Sequence, residues 1–196
     1  MDVLLRLVDA LRCLPGVGPK SAQRMVFHLL QHQRERGLYL AECLAEAMTH
    51  IQHCQICNNY TSQPICDLCQ HPDRDPHLLC VVESPADVIA LEQCLSYRGR
   101  YFVLMGKISP LDGIGPEEIG LPRLQTYVQE AQIQELILAL SPSIEGRTTV
   151  HFIQEHLRNL PVKISQLAHG IPSGGDLSLL DGQTIISALR NRECLI

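Results

Sequence analysis

The spacing of apolar residues divides the chain into a helical N-terminal part and an alternating α/β part. In residues 1–53, apolar positions recur every three to four residues, which predicts three helices. From residue 78 onward, short apolar runs alternate with helical patterns, which predicts a parallel sheet with helices on both faces. The predicted helices span 2–13, 19–35, 38–53, 85–95, 116–131, 144–158 and 184–190, and the predicted strands are HLLCVVE, RYFVLMG, QELILAL and VKISQLA.

Four segments follow from these patterns. They are a helical arm (1–53), a cysteine-rich segment (54–77), a main α/β domain (78–168) and a C-terminal segment (169–196), which we expect to pack on the main domain or to be exchanged between subunits. With 196 residues, 45% of them hydrophobic, the chain can bury one moderate core and a small satellite. No apolar run is long enough to span a membrane, and aspartates interrupt the apolar N-terminal stretch, so we expect a cytoplasmic protein without a signal peptide.

Four of the nine cysteines form two CxxC pairs. In CQICNNYTSQPICDLC, Cys54, Cys57, Cys66 and Cys69 follow the pattern CxxC, eight residues, CxxC. Tetrahedral zinc needs two such turns, each presenting a pair of thiolates, joined by a link that can fold back. The spacing therefore predicts one structural zinc ion, and a redox protein that uses a CxxC pair is the alternative. Second-choice ligands nearby are His53, His71 and His77.

The segment LPGVGPKSA, residues 14–22, separates the first two predicted helices. Gly16 and Gly18 flank an apolar residue and predict a tight turn whose N–H groups face outward at a helix N-terminus, where anions are favoured. Lys20 and Arg24 follow in the next helix. The combination predicts a DNA phosphate clamp without base readout, and a purely structural turn is the alternative. The GxxxxGK[ST] spacing of a P-loop is not met, so nucleotide binding is not predicted here.

The formal charge of −5 is unevenly distributed along the chain. Residues 1–36 hold six Lys/Arg against three Asp/Glu, whereas the remainder holds ten against eighteen. A polyanion is therefore expected at the N-terminal end. A single hairpin offers few phosphate contacts, and about fifty helical residues are too few to bury a core alone. Both shortfalls disappear if chains pair through these helices, so we predict a homo-oligomer, from a dimer to a tetrameric ring.

Acidic residues stand where two of the predicted strands end. Glu83 lies in VVESPAD after the first strand, and Glu145 lies in LSPSIEGR after the third. With LPGVGPKSAQR, the cysteine segment, GRYFVLMGKISPLDGIGPEEIGL and AHGIPSGGDLSLLDGQT, these blocks resemble the RecR family of bacterial recombination mediators essentially from end to end. The resemblance implies a helix-hairpin-helix arm, a zinc knuckle and a Toprim domain, the fold shared with topoisomerases and primases. It also implies that RecO and RecF dock on the Toprim domain.

Catalytic Toprim proteins hold Mg²⁺ with a Glu on the first strand and an Asp-x-Asp after the third. Glu83 matches that Glu, but Ser141 and Ser143 replace the paired acids, and Arg147 follows where the enzymes tend to have a second Glu. Hydroxyls and a cation cannot hold the ion as carboxylates would. We therefore predict a non-catalytic domain in which Glu83 and Glu145 bind partners, with structural roles at a strand end and in a first helical turn as the alternative.

Residues and resemblance together predict a DNA-binding mediator, associated with the nucleoid, that acts with RecO and RecF to help load recombinase at gaps or single-strand/duplex junctions. The competing hypothesis is a magnesium-dependent Toprim nuclease, primase or topoisomerase. The C-terminal AHGIPSGGDLSLLDGQT lacks a phosphate loop, so its residues are interpreted as turn and capping positions. The turn residues are Gly170, Gly174 and Gly175, and the caps are Asp176 and Asp181.

Overall fold

The computed structural model describes residues 2–167, 176–190 and 192–194. The chain divides into two compact units, Met1–Ile51 and Gln52–Ile196. The predicted turn glycines Gly170, Gly174 and Gly175 lie outside the described residues. Among those described, no helix has both the length and the apolar character needed to cross a membrane.

The N-terminal unit consists of three helices, α1 (Val3–Leu11), α2 (Pro19–His32) and α3 (Arg34–His50). The Asp2 carboxylate caps α1 by accepting a hydrogen bond from the Leu4 N–H at 3.3 Å, and Pro19 occupies the first turn of α2. The third helix begins earlier and ends earlier than predicted. Large apolar side chains remain at least 38% exposed on this unit: Val3, Leu5, Leu7, Leu14, Met25, Phe27, Leu30, Leu38, Tyr39, Leu40, Leu44, Met48 and Ile51.

The cysteine segment forms a small zinc-knuckle-like element at the start of the second unit. Two short antiparallel strands, β1 (Gln52–His53) and β2 (Tyr60–Thr61), flank the first CxxC, and the helical turn α4 (Asp67–Gln70) follows the second. Residues 52–53, predicted as the end of a helix, are thus extended. The reason is a pairing partner, because the cysteine turn brings Tyr60 and Thr61 alongside Gln52 and His53.

The α/β elements follow in the predicted order. They are β3 (Asp75–Val82), α5 (Pro85–Gln93), β4 (Gly99–Val103), α6 (Leu121–Glu130), β5 (Glu135–Ala139), α7 (Ile144–Leu157), β6 (Lys163–Gln166), α8 (Gly182–Arg190) and β7 (Glu193–Cys194). The sheet order is β4-β3-β5-β6-β7. Strands β3, β4, β5 and β6 are parallel, as predicted. Strand β7 adds an antiparallel edge that the apolar pattern did not indicate.

Alternate strand residues fill a core on each face of this sheet. Leu79 and Val81 of β3 join the cluster under α6 and α7, whereas Cys80 and Val82 join the cluster under α5 and α8. Both sides are therefore sealed, which explains the continuous apolar runs. At the C-terminal end, the Asp181 carboxylate accepts from the Thr184 N–H at 3.0 Å and caps α8, as predicted.

The order of the strands places a switch point at β3. The chain moves from β3 to β4 on one side and then returns to β5 on the other side. The carboxyl ends of β3 and β5 therefore open side by side, where ligands of open α/β sheets usually bind. Glu83 follows β3, and Ser141 follows β5 by two residues.

Candidate metal centre, sheet edge and nucleic-acid interface

The four predicted cysteines converge on a common point. All four are buried, and their Sγ atoms lie within 4.8 Å of one another. The Sγ atoms of Cys57 and Cys66 are 3.5 Å apart, and those of Cys54 and Cys69 are 3.9 Å apart. A tetrahedron with Zn–S bonds of about 2.3 Å has edges of about 3.8 Å, so both of these separations suit zinc ligation. His53 instead lies 3.0 Å from the Asn58 carbonyl oxygen.

The crowding of these thiols changes how readily each one ionises. Hydrogen bonds from the neighbouring thiols, that of Cys57 first, lower the pKa of Cys66 to about 2. The same kind of contact, together with burial, raises the pKa of Cys57 and of Cys69. Crowded, buried sulfurs do not all ionise without a compensating charge, and a dication bound among them would supply that charge.

Arg123 of α6 ties the cysteine segment to the α/β core. Its guanidinium donates to Asn58 Oδ1 at 2.9 Å, to the Cys54 carbonyl oxygen at 2.6 Å and to the Gln55 carbonyl oxygen at 2.7 Å. The Asn58 side-chain amide donates to the Val103 carbonyl oxygen at 2.7 Å. Asn58 has φ +65°, a left-handed conformation that asparagine tolerates better than most residues. Arg123 thus anchors the metal centre to α6, and Asn58 anchors it to the edge strand β4.

The glycine turn of the N-terminal unit leaves its backbone open. Gly16 has φ +76°, which glycine adopts without strain, and no atom lies within 4 Å of a Cβ built at Gly16 or Gly18. Within the described residues, no hydrogen bond of the fold uses the N–H of either glycine. Gly18 precedes the first turn of α2. An anion can therefore approach these amides directly.

One exposed face of α2 continues from this turn with basic groups. Lys20, Arg24, His28 and His32 follow one another at four-residue intervals, so they lie on one side of the helix. They line a surface depression of about 400 Å³, in which the His28 and His32 ring centroids are 5.6 Å apart. The sequence of α2 contains no acidic residue. The whole face is therefore suited to a polyanion.

Glu83 is held inside the sheet edge. Its side chain is only 11% exposed. Oε1 accepts a hydrogen bond from the Ser141 N–H at 2.6 Å, and Oε2 lies 3.4 Å from Lys107 Nζ. Both oxygens of the carboxylate therefore have partners within this chain.

The serines at the expected acid positions organise the start of α7. Ser143 Oγ accepts from the Gly146 N–H at 3.1 Å and caps the helix, and it lies 3.1 Å from Ser141 Oγ. A Cβ at Gly146 would lie 1.9 Å from the Ser141 carbonyl oxygen, so glycine is required for this close approach. Among the described residues, only the four cysteines form a group of three or more His, Cys, Asp or Glu placed to hold a metal.

Glu145 and Arg147, by contrast, project from the first turn of α7 into solvent. A backbone N–H, and then the Ser143 hydroxyl, lower the pKa of Glu145, which keeps the carboxylate charged. Arg147 donates to the Pro142 carbonyl oxygen at 2.7 Å. Glu83 and Glu145 therefore lie at the same sheet edge, but only Glu145 is exposed to an incoming partner.

Two residues of these sites were missed from the sequence, Arg123 and Lys107. Arg123 belongs to no local motif, because its acceptors lie more than sixty positions earlier in the chain. Lys107 carried a weak signal, since it follows a predicted strand at the end of the sheet where ligands bind.

Three family models match this chain. They are a Toprim domain over residues 77–168, a RecR helix-hairpin-helix over residues 4–48 and a RecR zinc finger domain of the four-cysteine type over residues 51–71. These matches cover the sheet, the glycine turn and the cysteine cluster just described. Fold and site thus define a zinc-finger protein with a helix-hairpin-helix arm and a Toprim domain.

Curated relatives align along nearly the whole chain. Recombination protein RecR of Legionella pneumophila strain Philadelphia 1 is 70% identical over 192 residues, which is 98% of this chain and 96% of the relative. Recombination protein RecR of Coxiella burnetii strain RSA 493 is 52% identical over 95% of this chain and 94% of its own length, and that of Acinetobacter baylyi is 53% identical over 97% and 96%. The chain belongs to the RecR family. The predicted resemblance, fold class and four-cysteine zinc site are confirmed.

Proposed function

We propose that this chain is a non-catalytic, DNA-binding mediator of recombination and repair that acts in the bacterial cytoplasm on nucleoid DNA. The observation that carries the proposal is a combination of features. The N-terminal unit has an open glycine turn and a basic helix face without acidic residues, and the sheet edge lacks the acids of a Toprim enzyme. The names of the relatives at 52–70% identity support a role in recombination.

DNA binding is assigned to the N-terminal unit. The amides of Gly16 and Gly18 and the side chains of Lys20 and Arg24 contact phosphates, which gives affinity without sequence preference. His28 extends the same face along α2 by one further turn. Such contacts are strongly salt-dependent, because each phosphate neutralised releases bound counterions.

The exposed apolar side chains of the helical arm support a homo-oligomer, between a dimer and a tetrameric ring. Leu40, Leu44 and Met48 follow one another at four-residue intervals on one side of α3, and each is at least 46% exposed. A continuous apolar surface of this kind is typical of a site for another protein, and a second copy of the same arm offers a matching surface. Pairing would also bring several phosphate clamps onto one duplex and raise the effective affinity.

The carboxyl edge of the sheet is the proposed docking face for RecO- and RecF-type partners. Glu145 is exposed and charged at this edge, and it can pair with a basic group of a partner. Glu83 supports the face from beneath by holding the Ser141 amide and Lys107. Joining partner and DNA in one chain would allow recombinase to be loaded at gaps or single-strand/duplex junctions.

The decisive experiment is a salt titration of DNA affinity for the Lys20→Ala/Arg24→Ala variant. We expect weaker binding to every DNA sequence. The slope of log affinity against log salt concentration should become shallower by about 0.9 for each phosphate that the variant no longer neutralises. The matched control is Arg158→Ala/Arg190→Ala, which removes the same charge from exposed positions of the α/β unit. Unchanged affinity and slope in the first variant would remove the hairpin from the proposal.

The competing Toprim enzyme is tested by incubating supercoiled plasmid with the zinc-loaded protein and Mg²⁺. We expect neither nicking nor relaxation, because a single carboxylate, Glu83, cannot seat the ion between attacking and leaving groups. Nicking that disappears in Glu83→Ala would establish an enzyme instead.

A further inference from the structure

Lys107 lies between the two strand ends that flank the switch point. Its Nζ is 3.4 Å from Glu83 Oε2, after β3, and donates a hydrogen bond to Ser141 Oγ at 3.3 Å, after β5. The Lys107 side chain is 32% exposed, so its ammonium is partly withdrawn from water. One positive charge thus contacts an oxygen of the residue after β3 and an oxygen of a residue after β5.

These contacts involve the positions that hold the metal in catalytic Toprim proteins. There, the Glu after the first strand and an acid after the third provide the oxygen ligands; here Glu83 and Ser141 occupy those positions. The separations of 3.3 and 3.4 Å suit an ammonium, whereas Mg²⁺ requires oxygens at about 2.0–2.1 Å. The residues present therefore do not fit the magnesium ion, and part of the misfit is a cation already in place.

The chain next to Lys107 is firmly anchored. The Ile108 side chain is 3% exposed in the core, and its N–H donates to Thr149 Oγ1 at 2.9 Å. Thr149 is fully buried in α7 and donates in turn to the Glu145 carbonyl oxygen at 2.8 Å. The backbone next to Lys107 is therefore held by α7, the helix that begins at the sheet edge. This anchor directs the Lys107 side chain toward Glu83.

We infer that the ammonium of Lys107 is a built-in cation that takes the metal position of this Toprim edge. It neutralises Glu83, links the ends of β3 and β5, and repels a divalent ion at the same point. The edge is consequently protected from metal twice, by the two serines and by the lysine. Restoring the acids alone should not restore metal binding, because an ammonium a few ångströms from the ion opposes its entry.

The test is Mn²⁺ binding to the full-length, zinc-loaded chain, followed by electron paramagnetic resonance of the free ion. Three variants are compared: Ser141→Asp/Ser143→Asp, the same pair with Lys107→Met, and the same pair with Lys163→Met. The last is a matched control, since Lys163 pairs with Glu135 at 3.7 Å where β5 and β6 begin, away from this edge. We expect the Lys107 combination to bind Mn²⁺ at least about tenfold more tightly than the other two.

Two results would overturn the inference. If the acid pair alone binds Mn²⁺ as tightly as the Lys107 combination, the ammonium does not compete with metal. If none of the three folded variants binds Mn²⁺, the edge is not a cation position at all. DNA affinity is measured in parallel on the same variants, and it should remain that of the unmodified chain, because Lys20 and Arg24 are untouched.

A second measurement uses the unmodified chain, in case the acid pair prevents folding. In ¹⁵N-lysine NMR, the Lys107 ammonium should exchange its protons with water more slowly than that of Lys163, which is 53% exposed. Glu83→Gln should remove this protection by taking away the paired charge. A Lys107 ammonium that exchanges as fast as Lys163 would contradict the inference.

Discussion

The two units of the molecule bury their apolar residues to very different degrees. In the helical unit, among its described residues, the buried side chains are Ala22 and Val26, while thirteen large apolar side chains are at least 38% exposed. In the α/β unit, Leu79, Leu136 and Ile164 are fully buried, and both faces of the sheet are covered. The second unit therefore has a complete core of its own, whereas our proposal is that the first gains one from other chains.

The comparison also separates two ways of stabilising a small element. The cysteine segment is also small, yet all four of its cysteines are buried around one point. A metal ion replaces a hydrophobic core there. The arm has no such centre among the described residues, and its exposed apolar side chains are the ones that we propose to pair with a second copy.

The largest effect is expected from breaking the metal centre with Cys57→Ser/Cys66→Ser. Zinc contributes an apparent binding free energy of about 10–16 kcal/mol to peptide fingers, so the segment should unfold and the melting temperature should fall. Zinc content measured by mass spectrometry should drop from one ion per chain to none. Cys13→Ser, at an exposed position, is the control and should keep both values. Retained zinc would show that other ligands hold the ion.

Acidification should also release zinc from the four cysteines. Zinc binds thiolates, and protons compete for them, so zinc is released as the pH falls and retained as it rises. A chelator-coupled zinc assay from about pH 4 to about pH 8 should therefore show release on the acid side alone.

The next effect concerns the exposed surface of the helical arm. Leu44→Asp/Met48→Asp should dissociate the proposed oligomer, since each side chain of this size buried in the interface would contribute about 1.5–3 kcal/mol. Mass in solution, measured by sedimentation over a range of concentrations, should fall toward that of one chain. Leu111→Asp/Leu179→Asp is the control, because these side chains are 98% and 82% exposed on the α/β unit. An unchanged mass for the first pair would place the interface elsewhere.

A smaller effect is expected from Arg123, which connects the metal centre to α6. Arg123→Ala removes three charge-assisted hydrogen bonds and should lower the free energy of unfolding by about 1.5–3 kcal/mol. Zinc transfer to a chelator should become faster, and Arg123→Lys should rescue it only in part, because lysine lacks the fork. Arg147→Ala, which loses one exposed bond, serves as the control. Equal transfer rates in both variants would contradict this role.

The smallest effect involves the C-terminal edge strand. Glu135 Oε1 accepts from Arg192 Nε at 2.8 Å, and this bond is the main reason that the pKa of Glu135 is lowered. A carboxylate whose pKa is lowered on folding stabilises the folded state at pH values above its ordinary pKa of about 4.3. That stabilisation is lost as the pH falls through the pKa of the folded state. Arg192→Ala should therefore cost about 1 kcal/mol at neutral pH. Urea unfolding should show this difference at neutral pH and its disappearance in acid; a difference that persists in acid would exclude this cause.

Local patterns were sufficient to predict much of this molecule. The doubled CxxC predicted the metal centre because its ligands lie within sixteen residues, and the glycines at 16 and 18 predicted an open turn for the same local reason. The four parallel strands followed from their apolar runs, since burial on both faces favours consecutive apolar residues. Strands β1, β2 and β7 were not predicted, because two-residue strands depend on a partner and not on their own sequence.

The amino-acid sequence by itself determined the main helices and the four parallel strands, which residues can hold zinc, and which acids a Toprim edge lacks, because each depends on residue type and short spacing. Tertiary structure decided what those residues contact. It brought Arg123 to the carbonyl oxygens of Cys54 and Gln55 and placed Lys107 between Glu83 and Ser141. Such pairings join positions far apart in the chain, and only the packing of helices on the twisted sheet selects them from the many that the sequence allows.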